Sequence, residues 1–115
     1  MGRREKAEPS PLGSFEEQIM LAVLRTRDEA YGMTVRRELE EVTGREVTIG
    51  SVYITLDRLE AKGFLTSARS AAGPDASARR VFSMTREGAR ALADTRAMRE
   101  RLWEGVSLRP LLRNP

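Results

Sequence analysis

Apolar positions along this chain recur at helical spacing in four blocks and alternate at strand spacing in a fifth region between the third block and the fourth. The first block opens at Ser14, with Glu17 three residues later in the pattern of a capping box. Phe15, Ile19, Ala22 and Val23 share one face there, Met20 and Leu24 widen it, and Arg25 to Glu29 end it. Tyr31-Gly32 marks the turn into a second helix over 32–43. Its buried stripe is read as Val35, Leu39 and Val42, its wet face as Arg36, Arg37, Glu38, Glu40 and Glu41, and its C-cap as Gly44. Thr48 is placed as the N-cap of a third helix over 49–62, which Gly63 closes.

The third helix carries two rows. Ile49, Val52, Leu56 and Leu59 line one side; Ser51, Thr55, Arg58 and Lys62 line another. Small polar residues near the start and basic residues later suit a helix that enters a DNA major groove. A plain amphipathic surface helix has the same pattern, so both readings stand for this helix alone. Residues 64–69 and 79–84 read as two strands, with Phe82 and Met84 alternating against Val81 and Ser83. The small, flexible run 70–78 between them contains a Gly-Pro turn. Three helices followed by a hairpin with basic flanks is the order of a winged helix. Arg79 and Arg80 then stand either beside a duplex or as ordinary charges on an exposed ribbon.

A fourth helix over 86–104 has Thr85 as its N-cap and a seam of Ala91, Thr95, Met98, Leu102 and Val106, with Leu92 and Trp103 on adjacent faces. One monomer has little left to cover that seam, so a partner subunit is expected. The chain divides into a tail (1–11), a winged-helix domain (12–84), a dimerisation helix (85–104) and a second tail (105–115). The fold class is mainly α (α+β): a winged helix-turn-helix with three helices and a two-stranded wing, then the long C-terminal helix.

Composition sharpens this picture. The 115 residues include no His and no Cys, which removes the usual general base, thiolate chemistry and most metal ligands. Carboxylate chemistry remains as the enzymatic alternative, but the acidic residues lie on helix surfaces beside Arg, and no Gly-rich phosphate loop is present. Only Lys6 and Lys62 are lysines among 20 basic residues; arginine's planar fork suits phosphate and guanine. The net charge is +3, yet residues 1–57 hold 8 basic and 11 acidic side chains and residues 58–115 hold 12 and 6. A polyanion touching the second half is the partner this suggests. The bland alternative is an Arg-rich composition inherited from a GC-rich genome. No run approaches the ~20 apolar residues of a membrane span, and the charged N-terminus has no secretory pattern. No cofactor is expected, no membrane is a partner, and the cytoplasm is the default location.

An ordered set of motifs then carries a resemblance. Glu17-Gln18-Ile19-Met20-Leu21, Tyr31-Gly32-Met33, Gly50-Ser51-Val52-Tyr53, Leu56-Asp57-Arg58-Leu59-Glu60, Gly63-Phe64-Leu65, Arg79 to Thr85 and Gly88 follow one another across residues 14–88. In that order and spacing the chain resembles the PadR family of winged helix-turn-helix regulators. It departs from the family in having Ile54 where Pro is frequent, Met33 where an aromatic is common, and Phe82 where Tyr is usual.

The resemblance implies a homodimer held by the C-terminal helices, double-stranded DNA as partner, and repression as the regulatory sense. It also implies a small aromatic or hydrophobic effector stacked on the tryptophan of that helix, here Trp103, with Met98 and Leu102 beside it; a simple interface anchor is the other reading of Trp103. The expected DNA-binding residues are Ser51, Tyr53, Ile54, Thr55, Arg58, Lys62, Arg79 and Arg80. Tyr53 either holds phosphate, as in the family pattern, or packs beneath its helix. Arg58 either meets DNA or pairs with Asp57 or Glu60. Ile54, apolar on the groove-facing side, is expected to touch a thymine methyl. The rival reading is a winged helix used for protein–protein contact, which the acidic second helix and modest net charge favour.

Overall fold

The computed structural model describes residues 12–70 and 79–113. The expected flexible tail at 1–11, most of the hairpin connection and the last two residues lie outside the described residues. Helix α1 (Ser14–Thr26) is followed by a single 3-10 turn at Arg27–Glu29, then by α2 (Gly32–Thr43) and α3 (Ile49–Ala61). Strands β1 (Leu65–Arg69) and β2 (Arg80–Met84) form the hairpin, and α4 (Arg86–Trp103) and a short α5 (Arg109–Leu112) complete the chain. The strands pair antiparallel in one register, from Leu65 opposite Met84 to Arg69 opposite Arg80.

The core lies where the three helices meet the hairpin. Ile19, Met20, Ala22 and Val23 of α1 face Val35 and Leu39 of α2, and Val52, Leu56 and Leu59 of α3 close it from below. Leu65 and Phe82, opposite-strand residues with side chains on the same face, are the hairpin's contribution. The Phe82 N–H also donates to the Ala30 carbonyl at 2.8 Å, which fastens β2 to the turn after α1. The wing base is therefore part of the core.

Local chemistry sets the helix ends. Thr48 Oγ1 accepts from the Ser51 N–H at 3.1 Å and Thr85 Oγ1 from the Gly88 N–H at 2.9 Å, the two N-caps read from sequence. At α1 the cap is displaced by one residue. The Gly13 N–H donates to Glu16 at 3.1 Å, so Glu16 rather than Glu17 closes the first turn. Glu17 instead accepts from Arg99 of α4. Nearby the Leu12 N–H donates to the buried Thr95 hydroxyl at 3.2 Å, and these two bonds hold the middle of α4 against α1 and the residues that lead into it.

Two residues assigned to the core by periodicity are on the surface. Leu24 and Val42, the latter 61% exposed, flank an open groove between α1 and α2 together with Leu21. Among the described residues no third helix or strand lines that groove, which holds about 600 Å³. A spacing pattern registers a helix's apolar face but not whether anything arrives to cover its edges.

Candidate nucleic-acid interface

Helix α3 spends its side at Val52, Thr55, Leu56 and Leu59 on the core. At 3.6 residues per turn the opposite side is Gly50, Ile54, Asp57 and Ala61, with Tyr53 and Arg58 on its flanks. All six are exposed, Ile54 at 60%. The hairpin stands along the Tyr53–Glu60 flank, because Arg80 of β2 and Ser67 of β1 both reach Glu60. A bare helix face beside a two-stranded wing is the geometry in which a winged helix meets a duplex.

The eight residues singled out from sequence fall into three groups. Tyr53, Ile54, Arg58 and Arg79 lie on the exposed surface. Ser51, Lys62 and Arg80 are engaged within the protein. The Ser51 hydroxyl donates to the Thr48 carbonyl at 2.9 Å, within the α3 cap. Lys62 Nζ is 2.7 Å from Glu16 of α1, and Arg80 is bonded to Asp57 and Glu60. Thr55 is a correction: at 5% exposure it belongs to the core. It follows Val52 by three residues and precedes Leu59 by four, so the buried stripe passes through it. Ser51, Thr55, Arg58 and Lys62 thus do not form one exposed row.

Tyr53 packs against the protein without being buried. Its ring lies across the start of α2, where a Cβ on Gly32 would sit 2.3–2.7 Å from the phenol. Gly32 is needed for that approach, and the ring nonetheless remains 38% exposed. Arg79 stacks over Tyr31 with its guanidinium 4.4 Å from the ring centroid. That contact gives Tyr31, read from sequence as closing the turn, a second task at the wing base. Nothing in its sequence position marks it as a neighbour of the wing.

Arg58 does not pair with Asp57 or Glu60; Arg80 takes both carboxylates, at 2.9 and 2.8 Å. The Arg80 guanidinium is held above its ordinary value: burial opposes the charge, but the bonds and charges of Asp57 and Glu60 outweigh burial. Glu16 is held below its ordinary value. Burial opposes its charge, and the Lys62 and Gly13 hydrogen bonds, with the charges of Lys62 and Arg58, outweigh it. Sequence spacing identified the acidic pair on α3 but not its partner, which comes from a strand 20 residues or more away.

At the other end of the molecule the α4 seam emerges from the body. Thr95 is buried and Met98 half-buried, whereas Leu102 is 70% and Trp103 54% exposed. Val106, Leu108, Leu111 and Leu112 continue the uncovered apolar surface through α5. Among the described residues no acidic cluster is placed to hold a metal, and no helix is long and apolar enough to cross a membrane.

Comparison with known proteins agrees with this architecture. The structure of RosR from H. salinarum superposes with a TM-score of 0.66 at 26% identity, over 84% of this chain and 81% of that one. A PadR-like transcription factor from Bacteroides fragilis gives 0.67 at 28% identity, over 80% and 85%. A PadR-like transcriptional regulator from Bacillus cereus shares the fold at 20% identity, with a TM-score of 0.67 over 90% and 95%. No curated protein sequence matches significantly. The family model described as "Transcriptional regulator PadR-like family" matches residues 20–94, from the middle of α1 to the middle of α4. The chain is thus a transcription regulator and not an enzyme, and it belongs to the PadR-like family.

Proposed function

We propose that the protein is a homodimeric DNA-binding repressor that reads a pseudo-palindromic operator with α3 and steadies itself with the wing. The observation that carries this is the outward side of α3, where Ile54 and Arg58 are exposed on a helix that lies beside an arginine-bearing hairpin. Arg58 is suited to a base edge or phosphate, Ile54 to a thymine methyl, and the Tyr53 hydroxyl and Arg79 to the flanking phosphates. Ser51 acts from the α3 cap, and Lys62 sits at the far end of that helix. Two copies related by a two-fold axis would present their α3 helices about 34–36 Å apart, one turn of duplex.

Two uncovered apolar surfaces support the dimer. One is the end of α4 with α5; the other is the α1–α2 groove edged by Leu21, Leu24 and Val42. They belong to different parts of one chain, so a two-fold partner buries both pairs at once. Trp103 then lies within the interface, where a planar hydrophobic effector has an indole to stack on. Repression and release by such an effector follow the family pattern.

The test is a fluorescence-anisotropy titration of the duplex upstream of the protein's own gene against a shuffled duplex, at several salt concentrations. Tighter binding to the native sequence, falling steeply with salt, is expected. Absence of binding to any duplex at low salt would favour the protein-contact reading, for which the acidic residues of α2 and Asp57 on α3 speak.

A further inference from the structure

Asp57 is out of place on a surface that meets a polyanion. It lies one turn beyond Ile54 and next to Arg58, on the outward side of α3, with 59% of its side chain exposed. A lone carboxylate there would face phosphates at a separation where charge repulsion is poorly screened. It is not alone: Arg80 Nη2 donates to Asp57 Oδ1 at 2.9 Å. The same nitrogen donates to Glu60 Oε1 at 2.8 Å, and the guanidinium lies 4.8 Å from the buried Phe82 ring. Stacking and two carboxylates fix this cation at the edge of the reading face.

Glu60 does a separate job. Its second oxygen accepts from the Ser67 hydroxyl of β1 at 2.9 Å, so Glu60 binds both strands of the wing. The strands are also fixed by Phe82 and Leu65 in the core and by the bond from Phe82 to Ala30. The wing thus keeps its anchorage without Asp57, and the Arg80–Asp57 contact is free to have another purpose.

We propose that Arg80 is a charge mask: it cancels the Asp57 carboxylate on the outward face of α3, so that Arg58, Tyr53 and Ile54 can approach the duplex. Arg80 acts through Asp57 and is a positioning residue, not a phosphate ligand. The inference rests on the DNA-binding reading above.

The test is a cycle of Arg80→Gln, Asp57→Asn and the double variant, on the duplex upstream of the protein's own gene and a shuffled duplex across a salt series. Arg80→Gln keeps an amide donor for Glu60 but loses the charge. It is expected to bind both duplexes about five- to tenfold more weakly at low salt, the loss shrinking as salt rises. Asp57→Asn alone should bind within about twofold of the parent or more tightly, and the double variant should recover to within about twofold. A double variant that gains over Arg80→Gln no more than Asp57→Asn gains over the parent would overturn the mask, since the effect of a phosphate contact or a wing latch simply adds to that of Asp57. A tenfold loss on Asp57→Asn alone would also overturn it, because the carboxylate would then be reading a base. If Arg80→Gln does not fold, Arg80→Lys serves: retained charge should hold affinity within about threefold, and a larger loss counts against masking. Failure of the parent to bind either duplex would remove the DNA-binding reading and the mask together; parental binding without rescue removes the mask alone.

Discussion

A methyl group at position 88 would stand 2.2 Å from the Phe64 carbonyl oxygen and 2.7 Å from the Met84 sulfur. Gly88 is where α4 crosses the turn leading into the wing, and the neighbouring Thr85 hydroxyl donates to the Gly63 carbonyl at the same crossing. Because the obstacle is backbone, Gly88→Ala is expected to cost about 2–3 kcal/mol in chemical denaturation. Arg27 is the opposite case. It ends α1 at φ 54°, ψ −124°, a conformation that favours glycine. Arg27→Gly should therefore stabilise by about 0.5–1 kcal/mol, seen as a higher Tm. On α3, Ile54→Ala should change base preference at one position of each half-site while leaving the free energy of unfolding within about 0.5 kcal/mol of the parent. Family spacing made Gly88 and Ile54 visible in the sequence. Arg27 gave no such signal, since nothing in an arginine marks a left-handed φ.

Between elements, Glu16 and Lys62 tie the start of α1 to the end of α3 across 46 residues. Glu16 titrates below its ordinary value of 4.5 when folded, so the folded state binds its proton less readily than the unfolded chain. The stabilisation is complete above pH 4.5 and is lost as pH falls through the lower, folded value. Glu16→Gln is expected to flatten that acid limb of a stability-versus-pH curve. Thr48→Ala removes the α3 cap and should cost about 1 kcal/mol. The boundaries of α2 and the caps of α3 and α4 were legible because cap and turn residues act locally. The outward face of α3 was less so. Thr55 looks like a groove residue by type, yet the buried direction is set by α1, α2 and the wing together. Likewise the partners of Arg80 and Lys62 come from distant segments, where no spacing rule reaches.

For the whole molecule, the end of α4 and the α1–α2 groove make one expectation. Leu102→Asp and Leu24→Glu should each convert the proposed dimer to a monomer in sedimentation, with circular dichroism unchanged, because both side chains are exposed in the single chain. The monomeric variants should then bind a full operator far more weakly than the parent, since two linked half-sites give way to two separate ones. The single tryptophan reports on the same step: burial of Trp103 in the interface should blue-shift its emission on association. The shared hold of Glu60 on both strands has a different sort of consequence. Among the described residues the hairpin's angle is set at its base, by Glu60, Ser67, Arg80 and Phe82. That base works as a rudder post: the pitch of the ribbon against α3 is decided inside the folded body, and a substitution there turns the wing as a unit.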